Sequence, residues 1–233
     1  MNIAVVGGGN IGSGLARVLS KSDNNVVVAD LDGGGAAAAK LEEEGVTVAP
    51  ADVASAIKDA ELVILVTLFA ASKQIASSND LSSKVVVDVS NPVTEDFSAL
   101  QVGHSTSAAG EIAALAAGAK VVKAFNTVFA QHYAGDLQVG GRKIQTFVAS
   151  DDDAAKAKVI ALAEETGLEV RDAGGLTNAR YLEPLGYMNS PSATCWGTAR
   201  PSLRSGWMRH RRATQTTIPP RPANAAGSLK TRS

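Results

Sequence analysis

The sequence predicts an α/β fold: a doubly wound parallel sheet covered by helices on both faces, with a short α/β extension and a basic, proline-rich tail. Three observations carry that expectation. Short β-branched runs alternate with alanine-rich helical stretches along most of the chain. The runs are continuous in Val, Ile and Leu instead of alternating with polar residues, the pattern of strands buried on both faces. The first run also passes through a glycine turn directly into a helical pattern.

Taken in order, the opening strand is 2–6, Asn-Ile-Ala-Val-Val, followed by Gly7-Gly8-Gly9-Asn10-Ile11-Gly12 and a helix whose apolar face holds Leu15, Val18 and Leu19. Further strands are expected at 26–29, 46–49, 62–67, 85–89 and 121–125, with helices at 35–44, 53–59, 70–77 and 109–117 between them. Another round follows, with strands at 146–149 and 168–171 and helices at 151–166 and 176–187. Asp151, Asp152 and Asp153 stand where they would cap and charge a helix N-terminus favourably. The stretch 136–143 reads as a turn or hairpin.

Composition narrows the class further. Hydrophobic residues make up 45% of the 233 and charged residues 19%, a globular balance and too apolar for a disordered chain. The single cysteine, Cys195, excludes an internal disulfide framework and a cysteine zinc cage. The longest apolar run, Leu62 to Ala71, is about half of the ~20 residues that a membrane helix needs, so no membrane partner is expected. No secretory leader pattern opens the chain, and the cytoplasm is the expected compartment. Charge is unevenly spread: no acidic residue follows Glu183, while Asn189 to Ser233 holds eight of the 22 Lys and Arg and five of the eight prolines. The expected organisation is a domain over 1–188 and a disordered tail over 189–233.

The glycine turn carries chemistry. A helix N-terminus presents unpaired N–H groups and partial positive charge, and it holds a phosphate if the backbone can come close enough. In Gly7-x-Gly9-x-x-Gly12 the first glycine permits the tight turn, the second lets a pyrophosphate lie on the backbone, and the third lets helix and strand pack together. The motif follows a strand, opens a helix and precedes Asp30 at the end of the second strand. Those are the contextual conditions of a Rossmann-type dinucleotide site, against the alternative of a glycine turn in a nucleotide-free domain. A carboxylate at Asp30 can accept hydrogen bonds from ribose hydroxyls and repels a 2′-phosphate, which favours NAD over NADP. The stretch from Asp30 to Lys40 contains no arginine to hold that phosphate.

Ligands of open α/β sheets bind beyond the carboxyl ends of the strands. Three stretches there are candidates: Thr67-Leu68-Phe69, Ser90-Asn91-Pro92 and Asn126-Thr127. Pro92 pushes Asn91 into an extended conformation, which would leave its amide free for a ligand; the alternative is an ordinary Asn-Pro turn. His104, His132 and His210 show no metal-ligand spacing, and no catalytic residue or metal is expected. The carboxylates read mostly as solvated helix faces. Hydride transfer between two bound cofactors needs no protein acid or base, so the lack of a triad is no objection.

Four stretches, Ile3 to Gly12, Val85-Val-Val-Asp-Val-Ser-Asn-Pro-Val93, Lys123-Ala-Phe-Asn-Thr127 and Asp172 to Pro184, together resemble the NADPH-dependent F420 reductase family over residues 1–188. Similar domains occur in membrane metalloreductases, where NADPH reduces a flavin. The resemblance implies NADP, pyrophosphate contacts from Gly7, Gly9, Asn10, Ile11 and Gly12, and a nicotinamide beside Ser90, Asn91 and Pro92. It also implies a deazaflavin or flavin ring stacked on the nicotinamide. Lys123, Arg142, Lys143 and Arg180 are the cations that could meet the anionic tail of F420. Asp30-Leu31-Asp32 departs from the Ser/Arg residues typical of the family. The C-terminus departs as well: from about Ser190 the chain reads as a frameshift product, since an adjacent reading frame can be written that gives an apolar, family-like ending. A genuine basic tail is the alternative.

The expected function is that of an NAD(P)-dependent oxidoreductase moving a hydride between a nicotinamide dinucleotide and coenzyme F420 or another flavin-like carrier, its small-molecule partner, with turnover impaired by the altered C-terminus. Thr67, Leu68 and Asn126 join the glycine loop and Asp30 as expected cofactor-binding residues. An NAD(P)-sensing module without turnover is the alternative, and a nucleic-acid partner would have to act through the tail. Oligomeric state, a homo-oligomer included, is left open.

Overall fold

The computed structural model of the chain describes residues 1–94 and 96–189. The expectations for the tail from Ser190 lie outside them. The first half builds β1 (Asn2–Val6), α1 (Asn10–Leu19), β2 (Asn25–Ala29), α2 (Gly35–Glu43), β3 (Ala49–Ala51), α3 (Val53–Asp59), β4 (Leu62–Leu65), α4 (Phe69–Ser78), β5 (Val85–Asp88), α5 (Ala108–Leu115) and β6 (Lys120–Lys123). A 3-10 turn over Ala130–Ala134 leads to β7 (Gln138–Val139), β8 (Arg142–Lys143), β9 (Gln145–Ser150), α6 (Asp153–Glu165) and β10 (Glu169–Asp172). A second 3-10 turn, Leu176–Asn178, precedes α7 (Ala179–Asn189).

Eight strands form one sheet in the order β10-β9-β6-β5-β4-β1-β2-β3. Reading β3-β2-β1-β4-β5-β6 gives the doubly wound order with its topological switch between β1 and β4. All pairs in that stretch are parallel, and β10 is parallel to β9. The departure from the expected parallel sheet is β9, which lies antiparallel to β6 with Val122 opposite Ser150. The β7-β8 hairpin reverses the chain just before β9, so a crossover helix is not needed there.

Both faces of the sheet are buried, as the continuous apolar runs require. Ile3, Val5, Leu62, Ile64, Val85 and Val87 face one core with Leu15 and Leu19 of α1, Leu41 of α2 and Val159 of α6. Their neighbours Ala4, Val6, Val63, Leu65 and Val86 face the other with Ile57 of α3, Ala76 of α4 and Ile112 of α5. This is the period-2 consequence of strand geometry with a helical layer on either side. Among the described residues no helix is long and apolar enough to cross a membrane.

Element positions follow the sequence closely, with two physical exceptions. The third strand begins at Ala49 instead of Val46, because Val46 donates back to Leu41 O (2.9 Å) across Gly45 at φ 77°, which spends Val46 on ending α2. The last helix is divided: Leu176–Asn178 is a 3-10 turn, and α7 starts at Ala179. Of the three aspartates before α6, Asp152 is the N-cap, accepting from Ala155 N–H at 2.8 Å. Asp151 instead accepts from Leu176 N–H at 2.8 Å and holds that turn to the sheet.

Candidate active site

The register fixes where the loops emerge. Ala29 pairs with Val6, Val6 with Leu65, Leu65 with Asp88 and Asp88 with Lys123, so the carboxyl ends of β2, β1, β4, β5 and β6 form one row. Everything that follows those residues projects from one edge.

At the β1 end, Gly7 takes φ 115°, a conformation that needs glycine, and its N–H donates to Ala29 O at 2.8 Å. A Cβ on Gly12 would overlap the carbonyl oxygen of Gly7, so α1 could not pack on the turn with any larger residue there. Gly9 is the N-cap of α1, with no side-chain hydrogen bond across the helix start, and a Cβ on it would meet nothing within 4 Å. The first turn of α1 thus presents its N–H groups toward open space, an arrangement that accommodates a pyrophosphate. Asn10 is exposed beside it and Ile11 half-buried.

Asp30 stands at this turn, but its oxygens already have partners. Oδ2 accepts from Gly8 N–H at 2.7 Å and Oδ1 from Leu31 N–H at 2.7 Å. The expected ribose contact would have to use the remaining lone pairs, since a carboxylate can accept about four hydrogen bonds.

Further along the edge a cleft of about 350 Å³ is lined by Ile11, Thr67, Leu68, Ser90, Asn91 and Asn126 among others. The sequence singled out these six, and the fold brings them to one place. Pro92 is buried beside it and does not line it, its carbonyl accepting from Gln101 N–H at 2.6 Å. Thr67 Oγ1 lies 2.8 Å from Ser72 Oγ, which ties the β4 loop to α4. Leu68 is exposed at the rim.

The Asn91 amide is not free, contrary to the expectation. Its Nδ2 donates to Asn126 O and its Oδ1 accepts from Asn126 Nδ2, both at 3.0 Å. Asn126 Nδ2 also donates to Leu182 O at 2.7 Å. Ser90 Oγ, Asn126 Oδ1 and Thr127 Oγ1 are buried without a hydrogen-bond partner. Buried polar atoms are normally satisfied, so the orphans of Ser90 and Asn126, the two of these residues that line the cleft, mark where a polar ligand group fits.

Sequence reasoning missed two sets of residues. Phe97, Phe129 and Tyr187 complete the cleft with aromatic surface. Phe97 is carried at φ 57° on a loop that Thr94, Asp96 and Ser98 tie together, and the Asp96 carboxyl is lowered to about 2 by hydrogen bonds from Thr94 and Ser98. Tyr187 donates to Phe97 O at 3.1 Å. The second set is Asp88, Lys123 and Glu183, all buried, with both carboxylates paired to Lys123. Two of the carboxylates are thus not on solvated faces, and Lys123, at 0% exposure, is unavailable to an acceptor's anionic tail. The signal was present: a charged residue inside a doubly buried Val run, as at Asp88 and Lys123, must find a charged partner. Arg142 and Lys143 are exposed on the β8 strand, and the guanidinium of Arg180 lies 4.9 Å from the Tyr181 ring.

Sheet order, glycine loop and edge cleft are those of a Rossmann-type dinucleotide-binding domain. Residues 2–92 match the family described as NADP oxidoreductase, coenzyme F420-dependent. The rat metalloreductase STEAP3 is 32% identical over 115 residues, which are 49% of this chain and 22% of that protein, so the chain spans about a fifth of this curated relative. Among solved structures, a candidate F420-dependent NADP reductase from Arthrobacter sp. FB24 aligns with 28% identity and a TM-score of 0.67 over 79% of this chain and 90% of its own. A Sinorhizobium meliloti protein aligns with 26% identity and a TM-score of 0.69 over 77% and 88%. An imine reductase from Aspergillus terreus, solved in complex with NADPH4 and dibenz[c,e]azepine, shares the fold at 18% identity and a TM-score of 0.59, over 79% of this chain and 59% of its own.

Proposed function

We propose that this chain transfers a hydride between a nicotinamide dinucleotide and coenzyme F420 or a related flavin-type carrier. The observation that carries the reading is the continuity of one cleft from the glycine loop at Ile11, past the orphaned Ser90 Oγ and Asn126 Oδ1, to the aromatic surface of Phe97, Phe129 and Tyr187. A dinucleotide held by Gly7, Gly9, Asn10, Ile11 and Gly12 would reach this wall, where hydroxyl and amide atoms suit a carboxamide and aromatic rings suit a flat heterocycle. The bound cofactors supply the hydride chemistry itself. The chain's part is orientation: Ser90 and Asn126 set the ring's rotation, Thr67 and Leu68 bound the cleft on the β4 side, and the rim excludes water. The description of the family and the name of the Arthrobacter protein support F420 as the partner.

On the dinucleotide, the family description names NADP, whereas Asp30 opposes a 2′-phosphate by its charge. We assign Asp30 a bias toward NAD, against the NADP that the matching family's description names. Mixing the full chain with NADH or NADPH and, in turn, F420, FMN and FAD, followed by absorbance, tests the reading. Oxidation of the nicotinamide that depends on one of these carriers supports it. Dinucleotide binding with no oxidation by any of them would leave the sensing module in its place.

A further inference from the structure

The charged trio has a geometry that stability alone does not call for. Lys123 Nζ donates to Asp88 Oδ2 at 2.6 Å, lies 3.0 Å from Glu183 Oε1 and donates to the carbonyl oxygen of Ser90. Its three N–H bonds are thereby used. Asp88 Oδ1 accepts from Ser90 N–H at 3.0 Å, so the pair grips both backbone groups of Ser90. Glu183, reaching in from α7, also accepts from Ala108 N–H at 2.9 Å and Ala109 N–H at 3.2 Å, at the start of α5. Its neighbours on α7 touch the same wall. Leu182 O accepts from Asn126, and Gly186 packs so closely on the Asn91 and Asn126 amides that a Cβ there would stand 2.6–2.8 Å from them.

Removing three charges from water costs several kcal/mol per ion, and an apolar trio of similar volume commonly stabilises a fold as well or better. What an ion trio adds is direction. Here each direction ends on Ser90, on α7 or on the first turn of α5. None of the three side chains lines the cleft, so they act through Ser90 and the paired amides.

We propose that Lys123, Asp88 and Glu183 are positioning residues that fix the Ser90–Asn91–Asn126 wall in one geometry and make that geometry conditional on the docking of α7. The last helix then governs placement of the nicotinamide ring and transfer, while capture of the dinucleotide is governed separately at the glycine loop. The two functions are spatially apart: β6 is three strand spacings from β1, about 14 Å at ~4.8 Å each. This inference rests on the reading of the cleft as the nicotinamide and acceptor site.

The test compares the full-length parent with Glu183→Gln, Gly186→Ala and Lys123→Met, each checked for a cooperative thermal transition. Three readouts are taken: NADPH and NADH affinity, the emission of the bound reduced nicotinamide as a measure of its shielding from water, and single-turnover hydride transfer to whichever of F420, FMN or FAD the parent reduces. Affinity, set mainly by the pyrophosphate at the glycine loop, should fall by less than about threefold. Emission enhancement should be lost and transfer should fall at least about tenfold. Lys123→Met strands two buried carboxylates; if it does not fold, Glu183→Gln and Gly186→Ala decide alone. Parental emission and transfer in folded Glu183→Gln and Gly186→Ala would overturn the proposal and leave the functional reading standing. So would affinity and transfer falling in equal proportion, the mark of general loosening. A parent that binds dinucleotide but reduces no carrier removes the acceptor assignment, and the emission comparison still decides the positioning role. A parent that binds no dinucleotide overturns both.

Discussion

Gly8 and Asp30 are joined by a 2.7 Å hydrogen bond from the glycine N–H to the carboxylate, so the acidic end of β2 braces the turn that ends β1. A double substitution tests the proposed ribose contact of Asp30 alongside this brace. Replacing it with Ser while changing Leu31 to Arg removes a repelling charge and supplies a bidentate phosphate partner at a side chain that is 96% exposed and free to change. The NADP-to-NAD affinity ratio should rise at least about tenfold, roughly 1.4 kcal/mol. NAD affinity itself should fall, because Gly8 loses a charged acceptor. Dissociation constants for both dinucleotides check this, and equal affinities in the parent would show that Asp30 does not face the ribose.

Gly9 and Gly12 should respond in opposite ways. A Cβ at Gly9 meets open space, so Gly9→Val should fold with a melting temperature close to the parent's and yet lose dinucleotide binding, its branched side chain filling the approach to α1. Gly12→Ala should damage the fold itself, since its Cβ would overlap the Gly7 carbonyl. Thermal melts beside titrations separate the two. A folded Gly9→Val with parental affinity would move the phosphate elsewhere.

A third glycine tests how α1 packs on the 3-10 turn beneath it. A Cβ on Gly14 would stand 2.5 Å from Tyr133 Cβ, and Tyr133 is fully buried under α1, its phenol pushed up by burial. Overpacking of this kind typically costs about 1–3 kcal/mol. Gly14→Ala should therefore lower the denaturation midpoint, and combining it with Tyr133→Ala should not restore it fully, because the Tyr133 Cβ stays in place.

Burial, more than any other influence, raises the Glu183 carboxyl above its ordinary 4.5, and Lys123 and the α5 N–H groups only partly oppose this. A raised acid binds its proton more tightly in the folded state than in the unfolded one. Its contribution to stability is therefore greatest below the unfolded value and declines as pH rises through the folded value. The stability of the parent relative to Glu183→Gln should grow as pH is lowered from neutrality toward about 4.5. Taking the difference cancels helix caps such as Asp52 and Asp152, whose lowered values act in the opposite sense. A difference that is flat or reversed across that range would show that Glu183 is not held in this way.

The sequence was a good guide wherever one local pattern decides the outcome. The helix at Val53–Asp59 was placed to the residue because Asp52 caps it, accepting from Ser55 N–H at 3.0 Å, and the helix starting at Gly35 ended within one residue of expectation. The glycine loop and the six cleft residues were legible because strand ends in a doubly wound sheet share an edge. What could not be read depends on partners far away in the chain. Asn91 was expected to be free because nothing local shows that Asn126, 35 positions on, returns both of its hydrogen bonds. Glu183 reads as an ordinary helix acid until α7 is folded over α5, 75 positions from Ala108. The hairpin within 136–143 was legible, whereas the antiparallel seat of β9 against β6 was not, because pairing direction depends on a partner more than twenty residues away.

The single row formed by Ala29, Val6, Leu65, Asp88 and Lys123 also sets how such a chain can be re-engineered or diversify. Adding or deleting one residue within β5 or β6 would turn every following side chain to the other face, exchanging Asp88 or Lys123 with a valine and breaking the ion trio at once. The same change at the opposite edge, at Asn79 to Lys84 or Ala116 to Ala119, leaves that row undisturbed. Length variation should be tolerated on one rim of the sheet and purged on the other, an asymmetry that an insertion scan would display directly.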